Sequence, residues 1–590
     1  MRPDLMILLS IAFFGISSMF FRRTRAGKTG AKKVALGLTR GQLVSTVMMA
    51  LWPFLFVAME HIHNLVAPDA DHTPDFFLVI VAYFAIAFPL YKIIDNRELQ
   101  RTAVQGLNFC LENLNKLPQT YNLPKFEIST MVKRTKESPP WLHVGTCDTS
   151  RMLLANVGQN LLDAGHTAKG IIMYEAVDET IMPSVFTPHD NLTISATMNT
   201  DGKINKQVTA SIADVFACNT DALCKMVAKP GLQMISFSAI NCNSSTVCAS
   251  PQEAKTAVEQ ITAGLLARFN AGGNPLALVA LGCATALEGS IVKIAQAWQE
   301  SGNVPPQFID YVKSMTYPWV MVDKTIPPAS DRVANLLTAD GLANITNVSP
   351  TLFVNAEAFE YIAIEDKFPN RRPPLEKAGV LMTNRETVRK MLLLQDYAML
   401  LNTAASVIGV LLKIPTVAEC MKDERIVKLL HQLKDEILPV APTLSIIDPK
   451  EYLDEFLTQR LPNPYVPINP IDMDVFPFAS VLRERAKRGF SADSLEGIPL
   501  YAALWLRSHM AIDDRGLPLE LHTSPSPACV AAVANLKLGE KTDISTILSN
   551  SDVFGLDLYS AGLGEKVDTL FREISTSKDA ISEKFSDLYW

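Results

Sequence analysis

The stretch WLHVGTCDTSR, residues 141–151, is the first place where residue types and spacing suit a specific chemistry. Trp141 to Val144 read as a buried strand, Gly145 opens a turn and a helix-compatible stretch follows. That order is the one used to hold a dinucleotide pyrophosphate against a helix N-terminus. Such a turn needs a second glycine two residues on, so that backbone can approach the phosphates closely. Cys147 stands there, and Asp148 adds a carboxylate where the phosphates would lie. We expect Asp148 to be the N-cap of the following helix, using the amides that a phosphate would otherwise take. Arg151 closes the stretch. Glu175 lies 30 residues after Gly145. An acid near that point commonly holds a ribose hydroxyl, although about 20 residues is the usual offset.

The other reactive side chains are less organised. Nine cysteines are scattered, and the pairs Cys218/Cys224 and Cys242/Cys248 each enclose five residues. Zinc sites use tighter spacing with histidine support. We expect small buried hydrophobes in a reducing compartment, no disulfide framework and no metal.

The elements needed to position this turn are legible around it. A helix over 151–164 with Gly165 as its stop leads to the strand GIIMYEAVD, which makes a β-α-β unit. Further strands are expected at QMISFSAI (233–240) and LALVALG (276–282), with helices such as KTAVEQITAGLLARF between them. Together these predict an α/β sheet. The chain has 590 residues, too long for one ordinary domain, and its formal charge of −7 gives no electrostatic footprint for nucleic acid.

The first ninety residues have a different composition. Three charge-free apolar runs occupy 5–21, 43–59 and 76–91. Each is at the short end of what crosses a bilayer, and we expect three transmembrane helices. The connector after the first run holds Arg22, Arg23, Arg25, Lys28, Lys32, Lys33 and Arg40 without an acid. The next connector holds Asp69, Asp71 and Asp75 without a Lys or Arg. The basic connector therefore faces the cytosol or organelle matrix, and three spans return the remaining chain to that side. The expected organisation is a membrane segment at 1–95, a linker at 96–138, a Rossmann-like domain at 139–385 and a mostly α-helical C-terminal domain at 386–590.

From residue 141 onward the chain resembles the polyol-specific long-chain dehydrogenase/reductases, the family of mannitol dehydrogenases and of fructuronate and tagaturonate reductases. The resemblance is carried in order by TYPWVMVDKTIPPASDR (316–332), LFVNAEAFEYIAIEDKFPNRRPPLEKAGV (352–380), GIPLYAALWLRSHMAIDD (497–514) and SNSDVFGLDLYSAGLGEKV (549–567). It implies a Rossmann-like domain, a helical second domain and an active site between them. It also implies NAD(P)-dependent oxidation of a polyol, with a Lys-x4-Asn-x2-His motif supplying the base and the groups around the reacting oxygen.

Matched residue by residue, that motif is altered. On the helix ETVRKMLLLQDYAMLLNTAASVIGVLL (386–412), Gly409 fixes the register. The lysine position then falls on Leu394, or Leu393 one residue earlier, the asparagine position on Met399 and the histidine position on Asn402. Lys390 is one turn away, about 6 Å along the axis, and reads as a solvated residue near the helix start. The asparagine loop reads CATALEGSI (283–291), and the cofactor-bordering loop reads NCNSSTVC (241–248) without its Glu-Lys-Gly core. Asp323 and Arg507 match substrate-side residues, and Glu365 and Asp366 keep the Ile-Glu-Asp segment. We expect these to be vestigial, with Asp323 and Arg507 retained as a buried ion pair.

The resulting expectation is a catalytically inactive relative. It would be a membrane-anchored accessory subunit of a larger membrane complex, with the bilayer and other subunits as partners, no nucleic acid and no cofactor. The mitochondrial inner membrane is the expected location. The alternative is a membrane-tethered NAD- or NADP-dependent polyol or sugar-acid oxidoreductase with a rearranged site. A third reading is a module that binds a nucleotide or metabolite without reacting.

Overall fold

The computed structural model describes residues 106–238, 247–282, 284–465, 476–519 and 527–587, and the backbone of a short antiparallel pair, Lys33–Ala35 with Leu38–Thr39. The chain divides into two units, Met1–Asn108 with Gly341–Asn344, and Phe109–Asp340 with Ile345–Trp590. The second unit contains both the sheet and the helical part.

Five short strands form its parallel sheet: β1 Trp141–Val144, β2 Ile171–Glu175, β3 Ile212–Ala217, β4 Met234–Phe237 and β5 Ala277–Ala280. Their spatial order is β5-β4-β1-β2-β3. The strands are apolar on nearly every residue because both faces are covered. Alternate residues divide between the two covers. Leu142, Val144, Ile235, Phe237 and Leu278 pack under the helices Thr220–Val227, Ala257–Asn270 and Ala284–Glu300. Trp141, Met173, Met234 and Val279 face Leu153, Leu154, Val157 and Leu161 on the opposite side. The order reverses between β1 and β4, so the carboxyl ends of β1 and β4 flank the crevice where such sheets bind ligands.

The helix after β1 begins in a π turn, Ser150–Leu154, and continues as α1, Ala155–Asp163. Gly165 ends it at φ 72°. The π turn packs Met152 against Val354 and Ala356 of β7, Phe353–Glu357. β7 is the edge of a second, four-stranded sheet with Thr193–Met198, Ile204–Thr209 and Tyr121–Asn122. A third sheet of three strands contains β6, Val320–Asp323, paired antiparallel with Tyr361–Glu365.

The helical part opens with α2, Arg385–Leu412, capped by the Asn384 side chain on the Thr387 amide. Val388, Met391, Leu394, Ala398, Leu401 and Ala405 recur at helical spacing along its buried stripe. Trp505, Tyr501 and Phe554 pack in the same core. Gln395 Nε2 donates to the Val322 carbonyl at 2.8 Å, which pins α2 to β6. Among the described residues, α2 alone is long and apolar enough to cross a membrane, and it is mostly buried within this core.

The described part of the expected linker 96–138 is folded. Tyr121–Asn122 pairs with Lys206–Gln207, and helix Ile128–Glu137 packs Met131 on Leu162 and Ala213. The short polar segment reads as a linker because its few apolar residues are spread over two elements. The runs 5–21, 43–59 and 76–91 lie outside the described residues.

Candidate active site

The turn after β1 has the geometry of a phosphate cradle. Gly145 sits at φ 113°, where L side chains are rare. A Cβ on it would lie 2.8 Å from both the carbonyl oxygen and Oγ of Ser238, at the end of β4. Cys147 has its thiol on Ser238 Oγ at 3.3 Å, and its carbonyl accepts the Arg151 amide at 3.2 Å to start the helix.

Asp148 is not the N-cap expected from sequence. Its carboxylate pairs with Arg151 Nη2 at 2.5 Å, and no side-chain cap is made at this terminus. Arg151 is about fully buried, and its other Nη donates to the Thr351 carbonyl just before β7. A guanidinium one helical turn away is a stronger partner for a carboxylate than a neutral amide. The pairing offsets the Asp148 charge and leaves the helix-start amides without a side-chain cap.

Glu175 ends β2 and is tied back to the same turn. Thr146 Oγ1 donates to its Oε2 at 2.6 Å, and the Val177 and Asp178 amides reach its Oε1 at 3.1 and 3.4 Å. Beneath the turn, the buried His143 ring lies between Ser236 Oγ at 2.8 Å and Ser238 Oγ at 3.1 Å. Burial pushes its pKa down to about 3, so it stays neutral. A turn opened by Gly145 with the Cys147 thiol turned onto Ser238, a helix start without a side-chain cap and a fixed acid at the second strand fit a dinucleotide. In that role Gly145 and the following amides would take the pyrophosphate, and Glu175 the adenosine ribose.

A second polar cluster joins the α/β part to the helical part. Asp323 ends β6 and is buried. Its two oxygens take the Arg460 guanidinium and the Tyr452 hydroxyl. Arg460 also donates to Thr325 Oγ1 at 3.0 Å, and its guanidinium lies over the Phe456 and Phe359 rings at 5.1 and 5.6 Å. Its Nε is 3.5 Å from Glu357 Oε1 at the end of β7. Glu357 Oε1 accepts the Thr325 amide, while Oε2 has no partner among the described residues. Burial raises the Glu357 carboxyl to about 7 and lowers the Arg460 guanidinium to about 10.

The expected Asp323–Arg507 pair does not form. Arg507 is buried, but its two Nη atoms donate to the carbonyls of Ile512 and Asp513 at 2.8 and 3.0 Å. Asp323 is paired with Arg460 because the residues after Glu455 bring a guanidinium directly beneath β6. Neither Arg460 nor Glu357 was singled out from sequence. Glu357 lies inside the family-like segment 352–380, and Arg460 is the lone cation of FLTQRL (456–461). An isolated charge in an apolar context is the available signal.

On α2, Leu394 is 1% exposed and packed in the helical core, whereas Leu393, one register earlier, is exposed. Met399 packs half-buried against that core. Asn402 is buried, and its Oδ1 has no partner among the described residues. Lys390 is half-exposed and makes no hydrogen bond or ion pair among the described residues. Glu365 accepts the Trp319 amide and Arg385, and Asp366 pairs with Arg372. Of the loops at 241–248 and 283–291, residues 241–246 and 283 lie outside the described residues.

The fold and this geometry agree with three comparisons. Residues 142–377 match the model of the mannitol dehydrogenase Rossmann domain. A D-mannonate oxidoreductase of Thermotoga maritima is 33% identical over 516 residues, which span 79% of this chain and 95% of that protein. A mannitol 2-dehydrogenase of Aspergillus fumigatus is 25% identical over 352 residues, 57% of this chain and 64% of that protein. Among solved structures, a substrate-free D-sorbitol dehydrogenase superposes with a TM-score of 0.65 at 21% identity, covering 80% of this chain and all of its own. A Pseudomonas fluorescens mannitol 2-dehydrogenase, in ternary complex with NAD and D-mannitol, gives 0.57 at 19% identity, covering 82% and 99%. The chain belongs to the mannitol dehydrogenase family.

This overturns the expectation of an inactive accessory subunit. A 33% match extending over nearly all of an oxidoreductase favours the alternative reading, an oxidoreductase with a rearranged site. The inactive reading rests on altered positions of the helix 386–412, the loops 241–248 and 283–291 and the turn at Cys147. The structure places buried ionisable groups on the neighbouring strands β6 and β7 as well.

Proposed function

We propose that this protein is an NAD-dependent oxidoreductase that interconverts a secondary hydroxyl and a ketone on a sugar acid or related polyol. The observation that carries the reading is the Glu175 carboxylate, fixed by Thr146 and two amides beside the Gly145 turn. A carboxylate there accepts ribose hydroxyls and repels a 2′-phosphate, which favours NAD over NADP. The sugar-acid assignment is supported by the likeness to a D-mannonate oxidoreductase. Bound NAD would supply the hydride chemistry. The chain's own residues bind it, orient the substrate and manage the hydroxyl proton.

The three apolar runs at 5–21, 43–59 and 76–91 tether the enzyme to a bilayer in this proposal. The asymmetry of the basic and acidic connectors puts the catalytic part on the positive-inside face.

Full-length protein in detergent, titrated with NADH and NADPH by cofactor fluorescence, tests the reading. Saturable NADH binding, weaker NADPH binding and D-mannonate-dependent reduction of NAD are expected. Absence of both binding and turnover would remove it.

A further inference from the structure

The cluster between the α/β and helical parts has an unbalanced set of charges. Two buried carboxylates, Asp323 and Glu357, face one guanidinium, Arg460. Asp323 is satisfied on both oxygens, by Arg460 and by Tyr452. Glu357 has a neutral amide on one oxygen and no partner among the described residues on the other. The remaining groups around it do not restore the balance. Lys324 attracts the Glu357 carboxylate but is held by Glu360 at 2.9 Å, and the Tyr361 hydroxyl donates to Glu455 at 2.6 Å. Asp323, Glu357 and the partly exposed Glu360 share two cations, Arg460 and Lys324, so the two buried carboxylates cannot both ionise cheaply near neutral pH. Asn355, two residues earlier on the same face of β7, also has a buried oxygen without a partner among the described residues. That face therefore presents two open acceptors, and its one side-chain donor, Asn355 Nδ2, is taken by the Pro328 carbonyl at 2.7 Å.

We propose that Asp323, Glu357 and Arg460 form a buried proton-holding triad, with Glu357 carrying its exchangeable proton in place of the family's lysine base. The inference rests on the oxidoreductase reading. In the oxidation direction, the substrate O–H bond breaks and its proton ends on ionised Glu357 Oε2. The C–H electron pair leaves as hydride to NAD, and the C=O bond forms. In reduction the same proton returns to the new hydroxyl. Leu394, where the family's lysine is expected, cannot exchange a proton. Burial raises the Glu357 carboxyl to about 7, which suits exchange in both directions.

The test uses the full-length chain in detergent with Glu357→Gln and Asp323→Asn. The readouts are pH-difference infrared spectroscopy, NADH fluorescence titration and the pH profile of kcat/KM. Wild type is expected to show a carboxyl C=O band that disappears as pH rises through neutrality. Glu357→Gln should lose that band, keep NADH affinity within about twofold, and lose roughly 10²–10⁴ in kcat/KM along with the acid limb of the profile. In Asp323→Asn, Arg460 is free to pair with Glu357, so the band should titrate at lower pH. Persistence of the band in Glu357→Gln, or retention of its acid limb, overturns the proposal. If Glu357→Gln does not fold, an unchanged midpoint in Asp323→Asn overturns it. Failure of wild type to bind NADH removes the oxidoreductase reading instead, and the infrared band still decides whether the triad holds a proton.

Discussion

Thr146 donates its hydroxyl to Glu175 across 2.6 Å, tying the turn after the first parallel strand to the acid that ends the second. The bond fixes a carboxylate at the edge of the phosphate cradle. Glu175→Ala should raise the Kd for NADH by roughly tenfold to a hundredfold, the equivalent of losing charge-assisted hydrogen bonds to a ribose. NADPH binding should fall less or improve. Parallel fluorescence titrations with the two cofactors measure this, and equal losses for both would argue against a ribose contact.

Arg151 links the cradle helix to the second sheet through Asp148 and the Thr351 carbonyl. Arg151→Met keeps the volume but removes both contacts, leaving a buried carbonyl and a half-buried carboxylate without their partner. Stability should drop by roughly 3 kcal/mol in denaturant unfolding. Asp148→Asn should cost less, because the amide Oδ1 can still accept from Arg151 Nη2 and the Thr351 contact is kept.

A lysine at Leu394, where the sequence comparison expects the family's base, should not restore the family's chemistry. Leu394 is packed in the helical core, so Leu394→Lys buries an ammonium without a prepared partner. The expected result is a loss of several kcal/mol or failure to fold, with no gain in turnover. A folded and faster Leu394→Lys variant would show that this position still faces the reacting groups.

His143 makes stability sensitive to acid. Its pKa is about 3 when folded and 6.5 when free. A depressed value of this kind contributes stability that is present above pH 6.5 and lost as pH falls toward 3. At pH 5 the loss should be about 2 kcal/mol. His143→Asn should flatten that part of the curve in thermal melts taken from pH 7 to pH 4, and an unchanged slope would place the acid sensitivity elsewhere.

The strands, the β-α-β unit and the family were readable because short continuous apolar runs and colinear motifs are local properties of sequence. The partners of Asp148 and Asp323 were not. A carboxylate at a helix start reads as a cap, and only the fold shows that Arg151, three residues on, is a charged competitor for it. The Asp323–Arg460 pair spans 137 residues and depends on the turn after Glu455, which no spacing rule supplies. Glu357 was inside a quoted motif, but its open oxygen is a property of packing. The sequence expects altered Lys, Asn and His positions on one helix, but it gives no sign of the buried cluster of Asp323 and Glu357, which lie on strands outside that helix.

The central claim is that this chain still performs hydride transfer with NAD. The most direct measurement is NADH formation at 340 nm (the wavelength at which reduced nicotinamide absorbs) by full-length protein given NAD and D-mannonate. The account predicts saturable, D-mannonate-dependent NADH production that Glu175→Ala weakens through cofactor affinity. No NADH from D-mannonate, mannitol or sorbitol, together with no saturable NADH binding, would contradict it.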